Sequence, residues 1–324
     1  MINKTSLIRA IQIILTSGLL LWLSATTDWS SLEKTARSAN WNWLFIAILC
    51  VLFSHLINTL RWKLLIPPRC LSFAVILSYY GAGIFSNNFL PTGIGGDGIR
   101  AALLSKHLSF WQAIWSVTLD RILGLLGLLI FIVPGLALGL PPLAKDIFNS
   151  MSSERLKILT HIFLLTGMII LILIWKRDSD IIRSWIQNYR SKLIPNSVTI
   201  QELARTERLR LILASYGLSV LSALFLVLAH ASTLCALTLY YAPEMAIWLV
   251  IGGSLTLLIP ISINGLGAME GAYVLILTSY GVPMAGALSV ALIIRFLIIF
   301  YSLLGGVLSL RLRWWDTSIA KPTG

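Results

Sequence analysis

SNNFLPTGIGGDGIR, running from Ser86 to Arg100, sets the reading of the whole chain. It places asparagine, proline, glycine, aspartate and arginine between apolar arms that extend from Leu71 to Leu103. At membrane depth, backbone that lacks helical hydrogen bonds is tolerated only where it is buried in protein or lines a wet cavity, so a break of this kind marks a site. IPISINGLGAMEG, from Ile259 to Gly271, repeats the pattern. The chain therefore reads as two halves, each organised around one broken apolar element.

The rest of the composition agrees. Of the 324 residues, 57% are hydrophobic and only 12% charged, against roughly 25% charged in soluble domains, and mean hydropathy is +0.85. This is an all-α polytopic membrane protein. The formal net charge of +12 resides in short loops beside apolar spans, which is the positive-inside pattern rather than a nucleic-acid footprint. Cys50, Cys70 and Cys235 show neither disulfide nor metal spacing, so no metal or cofactor is expected. Lys4 and Arg9 precede an apolar run, but Leu23-Ser24-Ala25 lacks a small-x-small cleavage site, so the run is kept as a first span. Most of the twelve tryptophans, including Trp41, Trp62, Trp111 and Trp248, fall near span ends as an aromatic belt requires.

Spans are predicted at 6–25, 42–60, 112–137, 158–175, 211–238 and 285–310, leaving apolar regions 71–99 and 247–284. Two complete helices need roughly 40 residues, so 71–99 is too short for two crossings and too broken for one. Assigning the N-terminus, 61–70, 100–111, 176–210 and the tail to one side gathers 18 Lys and Arg there, against 5 in the other loops. The first side is cytoplasmic by the positive-inside rule, both termini included. Region 71–99 then enters and leaves from inside, and 247–284 from outside, although its length also admits two thin spans. The predicted fold is an inverted repeat of span, span, re-entrant hairpin and span, giving six full spans and two hairpins in one transmembrane domain, 1–324. The halves are 1–140 and 158–310, joined by a cytoplasmic linker, 176–210, with an interfacial helix near 180–193.

Arg121 and Arg295 lie well inside apolar segments, where an arginine costs at least roughly 2.5–3.5 kcal/mol. Either they bind an anionic head group through their planar forks, or they form structural ion pairs, Arg121 with Asp97 and Arg295 with Glu270. Gly124 and Gly127 open one face of the Arg121 helix for close packing or for a ligand. Asp97, Asp120 and Glu270 are candidates for ion pairing or proton coupling, and Arg100 for substrate binding or an interfacial charge. Asn87, Asn88 and Asn264 offer side-chain amides to an anion. Pro91, Gly95, Gly96, Pro260, Gly265 and Gly267 break the hairpin backbones and expose N–H groups. Enzyme readings find no support: Ile94 stands where a GxGD protease motif needs glycine, and no GxSxG is present.

Asn88, Pro91, Gly95, Gly96 and Arg100, followed by VTLDRILG (Val117 to Gly124) and PISINGLGAMEG (Pro260 to Gly271), together resemble the lysylphosphatidylglycerol synthetase transmembrane region, or flippase-like domain, family. In the family's two-domain synthases this region is linked to lipid translocation, while a separate acyltransferase-like domain attaches the amino acid. That catalytic domain is absent from this sequence. The resemblance implies a flippase-like protein of the plasma (inner) membrane that is not an enzyme and moves an anionic phospholipid, polyprenyl phosphate or glycolipid between leaflets. The alternative is a non-catalytic membrane partner of a lipid or glycan biosynthetic enzyme.

Overall fold

The computed structural model describes residues 28–66, 71–88, 95–149, 200–239, 242–258 and 262–319, with isolated positions at 17–18, 21 and 24–25. Among these residues the structure is helical, without strands. In chain order the helices are α1 (Trp29–Arg37), α2 (Trp41–Leu64), α3 (Phe73–Asn87), α4 (Gly95–Leu104), α5 (Phe110–Leu129), α6 (Ile132–Leu138), α7 (Pro142–Asn149), α8 (Ile200–Ala236), α9 (Pro243–Leu258), α10 (Ala268–Ser279) and α11 (Met284–Ile319).

Four helical stretches are long and apolar enough to cross a membrane: Trp41–Leu64, Phe110–Leu138, Arg210–Ala236 and Met284–Leu310. They correspond to the expected spans 42–60, 112–137, 211–238 and 285–310. The expected span 158–175 and the interfacial helix near 180–193 lie outside the described residues, as does most of 6–25. Asn40 starts α2 by accepting a hydrogen bond from the Asn42 N–H at 3.0 Å, and the helix's 24 residues extend about 36 Å, enough for a hydrocarbon core of about 30 Å. The stretch Phe110–Leu138 bends between α5 and α6. Pro134 follows the bend, where its ring opposes the carbonyl four residues earlier and so disfavours an unbroken helix.

Both broken elements fold as pairs of short helices that double back. In the first, Gly83 of α3 faces Gly96 and Arg100 of α4, while Tyr79 meets His107 beyond the end of α4. In the second, Gly253 of α9 faces Tyr273 of α10, and Gly252 faces Ile276. The longest of these four arms has 16 residues, about 24 Å, short of a full crossing. The order long helix, paired short helices, long helix thus occurs twice along the chain. The first hairpin continues beyond its expected boundary at residue 99, because α4 runs to Leu104 and keeps Arg100 and Leu104 buried.

Packing relies on small residues, as it does where lipid removes the hydrophobic drive between helices. Helix α2 lies along α8, joined at their centres by a hydroxyl pair, Ser54 and Ser222, 2.9 Å apart. Gly127 of α5 rests on Ser219 of α8, where a Cβ would come within 2.5 Å of the serine side chain. Gly81 of α3 rests on Gly305 of α11, where a Cβ would lie 2.7 Å from the opposing Cα. One apolar core, with Leu234, Met245, Leu249, Met269, Leu277 and Ile294, joins α8 to α11. A second, with Trp62, Ile76, Leu104 and Val117, fills the space under the first hairpin.

Candidate functional site

Five acidic and basic side chains from three helices form one alternating chain. Arg61 of α2 donates from Nε to Asp120 of α5 at 2.8 Å and from Nη1 to the Ser219 hydroxyl of α8 at 3.2 Å. The other oxygen of Asp120 accepts from Arg100 of α4 at 2.7 Å. Arg100 also reaches Asp97 at 3.3 Å, and Asp97 accepts from Arg121 at 2.6 Å. Between these bonds the Arg100 guanidinium lies 4.0 Å from the Trp62 ring centre and 4.7 Å from that of Tyr80, a cation–π arrangement that strengthens away from water. Glycines make room for the arginine stems and forks: Gly83 lies against the Arg100 side chain, and Gly124 against the Arg61 guanidinium.

The side chains of Arg61, Arg100 and Asp120 are at most 7% exposed, whereas that of Arg121 is 46% exposed. Buried charges survive only when paired and hydrogen-bonded. The chain meets that requirement for its interior members and presents its last arginine at the edge.

The second break is held by Arg295 of α11. Its Nε donates to one Glu270 oxygen at 2.5 Å and its Nη2 to the other at 3.1 Å, while the Asn264 and Gly265 carbonyls accept at 3.0 and 2.9 Å. Glu270 in turn accepts from the Gly267 N–H at 2.8 Å, an acid at the start of α10 that satisfies a backbone donor lacking a helical partner. Left-handed backbone at Asn264 (φ 48°), Gly265 (φ 70°) and Gly267 (φ 78°) makes the turn, a conformation open to glycine and tolerated by asparagine.

The two breaks touch. Asn264 donates to the Asn88 side-chain oxygen at 2.7 Å, and Asn88 donates to the Ser302 hydroxyl of α11. Ser302 lies seven residues after Arg295, two helical turns along the same face, so α11 grips the tips of both hairpins. Inside the first break, the Asn87 side-chain oxygen accepts from the Gly96 N–H at 2.7 Å.

Both arginines take the carboxylate partners the sequence named, Arg121 with Asp97 and Arg295 with Glu270, and Arg295 is closed in by Glu270 and two carbonyls with a side chain only 7% exposed. The N–H groups of Gly96 and Gly267, which could have been free for an anion or simply part of a broken hairpin, are bonded internally, to Asn87 and Glu270. Gly124 and Gly127 serve helix packing. Gly95 begins α4 and is half-buried, while Pro91 and Pro260 lie outside the described residues. Arg61, counted in the sequence as a loop charge, is buried within α2, and Trp62, read as an interfacial residue, is fully buried beneath Arg100. Arg61, Trp62, Tyr80, Ser219 and Ser302 were not legible as site residues. Their one signal is periodicity, since Ala47, Ser54 and Arg61 recur at seven-residue spacing along one face of α2.

The fold and these intramembrane charges define an all-α, multi-pass membrane protein. More particularly, the chain belongs to the lysylphosphatidylglycerol synthase TM region family, which matches residues 9–305. Comparison with curated proteins and with solved structures finds no match.

Proposed function

We propose that this protein is a lipid translocase of the plasma (inner) membrane, carrying an anionic phospholipid, polyprenyl phosphate or glycolipid between leaflets without chemistry on the lipid. The observation that carries this reading is the alternating chain of charges ending in the half-exposed Arg121. A guanidinium at that position, 46% exposed at the edge of the chain, offers a phosphate the planar fork it prefers. An anionic head group would regain there hydrogen bonds lost with its hydration.

The two hairpins enter from opposite sides and meet at Asn88 and Asn264, with both termini cytoplasmic. Rocking of one half against the other breaks this small polar junction and exposes the Arg121 edge to alternate leaflets, while acyl chains stay in lipid. Asn87 and Asn88 shape the head-group side of the first tip, and Arg100 tunes Arg121 through their shared partner Asp97. For Arg295 and Glu270, their mutual bonds favour the ion-pair role over direct substrate or proton handling.

Vesicles containing the purified protein and a head-group-labelled phosphatidylglycerol test the reading. Wild type is expected to equilibrate the label between leaflets, and Arg121→Gln to slow it at least about tenfold while remaining folded. If no anionic phospholipid or polyprenyl phosphate crosses, translocation is wrong and the role of non-transporting partner to a lipid or glycan biosynthetic enzyme takes its place.

A further inference from the structure

A groove of about 720 Å³ runs between α3, α4 and α11, away from the charge chain. Its size falls within the roughly 300–1,000 Å³ typical of ligand sites. Phe85, Ile99, Leu103 and Leu310 make apolar walls, and Lys106 and His107 stand at one end. Both of these residues are exposed, and none of the described residues lining the groove is acidic. Ile99 and Leu310 are 37% and 60% exposed, so the walls open sideways rather than into the protein core.

Two neighbours fix the depth of each end. Phe110 and Trp111, 61% and 68% exposed, follow Lys106 by four and five residues, and aromatic rings of this kind sit at the level of lipid head groups. At the other end the groove is lined by Ser86, adjacent to Asn87 and Asn88, whose amides bond Gly96 and the opposite hairpin tip. A comparable groove of about 640 Å³ near Trp41 and Phe296 has no charged residue among its described lining, so nothing there selects a head group by charge.

We propose that the α3–α4–α11 groove is a docking site for an anionic phospholipid, with its phosphate at Lys106 and His107 and an acyl chain along Phe85, Ile99, Leu103 and Leu310. The proposal rests on the translocase reading for its purpose: the groove collects lipid at the interface and leads it toward the hairpin junction. Opposite charge and matched depth bring the head group in, and the apolar walls hold the chain.

Photo-crosslinking in phosphatidylcholine nanodiscs containing a trace of phosphatidylglycerol with a diazirine on its acyl chain tests this. Label is expected on peptides bearing Phe85 and Leu103, displaced by excess unlabelled phosphatidylglycerol but not by phosphatidylcholine. Lys106→Gln with His107→Gln should weaken that preference about fivefold, and Leu103→Trp should remove the label by filling the groove. Equal displacement by both lipids, an undiminished preference in the double variant, or persistent label in Leu103→Trp would each overturn the proposal. Transport measured on the same preparations separates the two readings. Lipid crossing without selective groove labelling rejects the groove and leaves translocation standing. Selective labelling without crossing supports the groove and rejects translocation.

Discussion

Asn264 donates a 2.7 Å hydrogen bond to Asn88 across 176 residues of sequence, and this contact joins two hairpins that each depend on their own half of the protein. Hydrogen bonds between membrane helices contribute about 0.6 kcal/mol on average, weak enough to break during a transport cycle. A double-mutant cycle with Asn88→Ala and Asn264→Ala should give a coupling of that order. In a background lacking the three native cysteines, a disulfide between cysteines at 88 and 264 should stop lipid movement, and a reductant should restore it. Undiminished transport by the oxidised protein would show that the tips need not part.

The alternating charge chain predicts an order of damage. Asp120 neutralises Arg61 and Arg100 together, so Asp120→Asn leaves buried Arg61 without a carboxylate and Arg100 with only its 3.3 Å contact to Asp97. Arg61→Gln leaves Asp120 paired with Arg100, and Arg121→Gln leaves Asp97 paired with Arg100. Removing one partner from a buried pair costs about 3–5 kcal/mol. Thermal unfolding in detergent should rank the losses Asp120→Asn first, Arg61→Gln second and Arg121→Gln well behind. An Arg121 variant as unstable as the Asp120 variant would contradict the view that Arg121 is the chain's exposed end.

Glycine positions give a cleaner contrast. A Cβ on Gly81 meets the Gly305 backbone at 2.7 Å, whereas one on Gly98 has nothing within 4 Å. Gly81→Ala should therefore destabilise by about 1–3 kcal/mol through overpacking. Gly98→Ala, inside α4, should be neutral or gain up to about 1 kcal/mol from helix propensity. Chemical denaturation of the two variants measures both, and a harmless Gly81→Ala would mean that α3 does not rest on α11 as closely as described.

Much of this architecture was legible because membrane insertion acts on local composition. Four expected spans correspond to long apolar helices, and both broken stretches form paired short helices because proline, glycine and asparagine interrupt the helix wherever they cluster. The candidate site was only half legible. Asp97, Asp120, Arg121, Glu270 and Arg295 stand out since a charge in an apolar run is conspicuous. Arg61 and Trp62 do not, because a basic or aromatic residue at a span end has a ready explanation at the interface. Their burial depends on α5 and α8 closing over the end of α2, a tertiary fact that no window of sequence contains. The occupied N–H groups of Gly96 and Gly267 are of the same kind, since only the folded turns bring Asn87 and Glu270 to them.

Hairpin depth is the last expectation, and it follows from arm length. The described arms of 15 and 10 residues in the first hairpin, about 22 and 15 Å, are each shorter than a crossing, so on the re-entrant reading its tip is expected near mid-membrane. Single cysteines at 34, 86 and 106 report on this in sealed cells with an impermeant thiol reagent. Lys34→Cys, before α2, should react from outside. Lys106→Cys should react only after the cytoplasmic face is opened if, as the re-entrant reading has it, α2 crosses once and the hairpin returns to its own side. Ser86→Cys, near the tip, should react poorly from outside, because the stretch around it is packed between α4 and α11. Fast outside labelling at 86 would mean that the first hairpin crosses completely, and equal outside labelling at 34 and 106 would reverse the parity on which the inverted repeat depends.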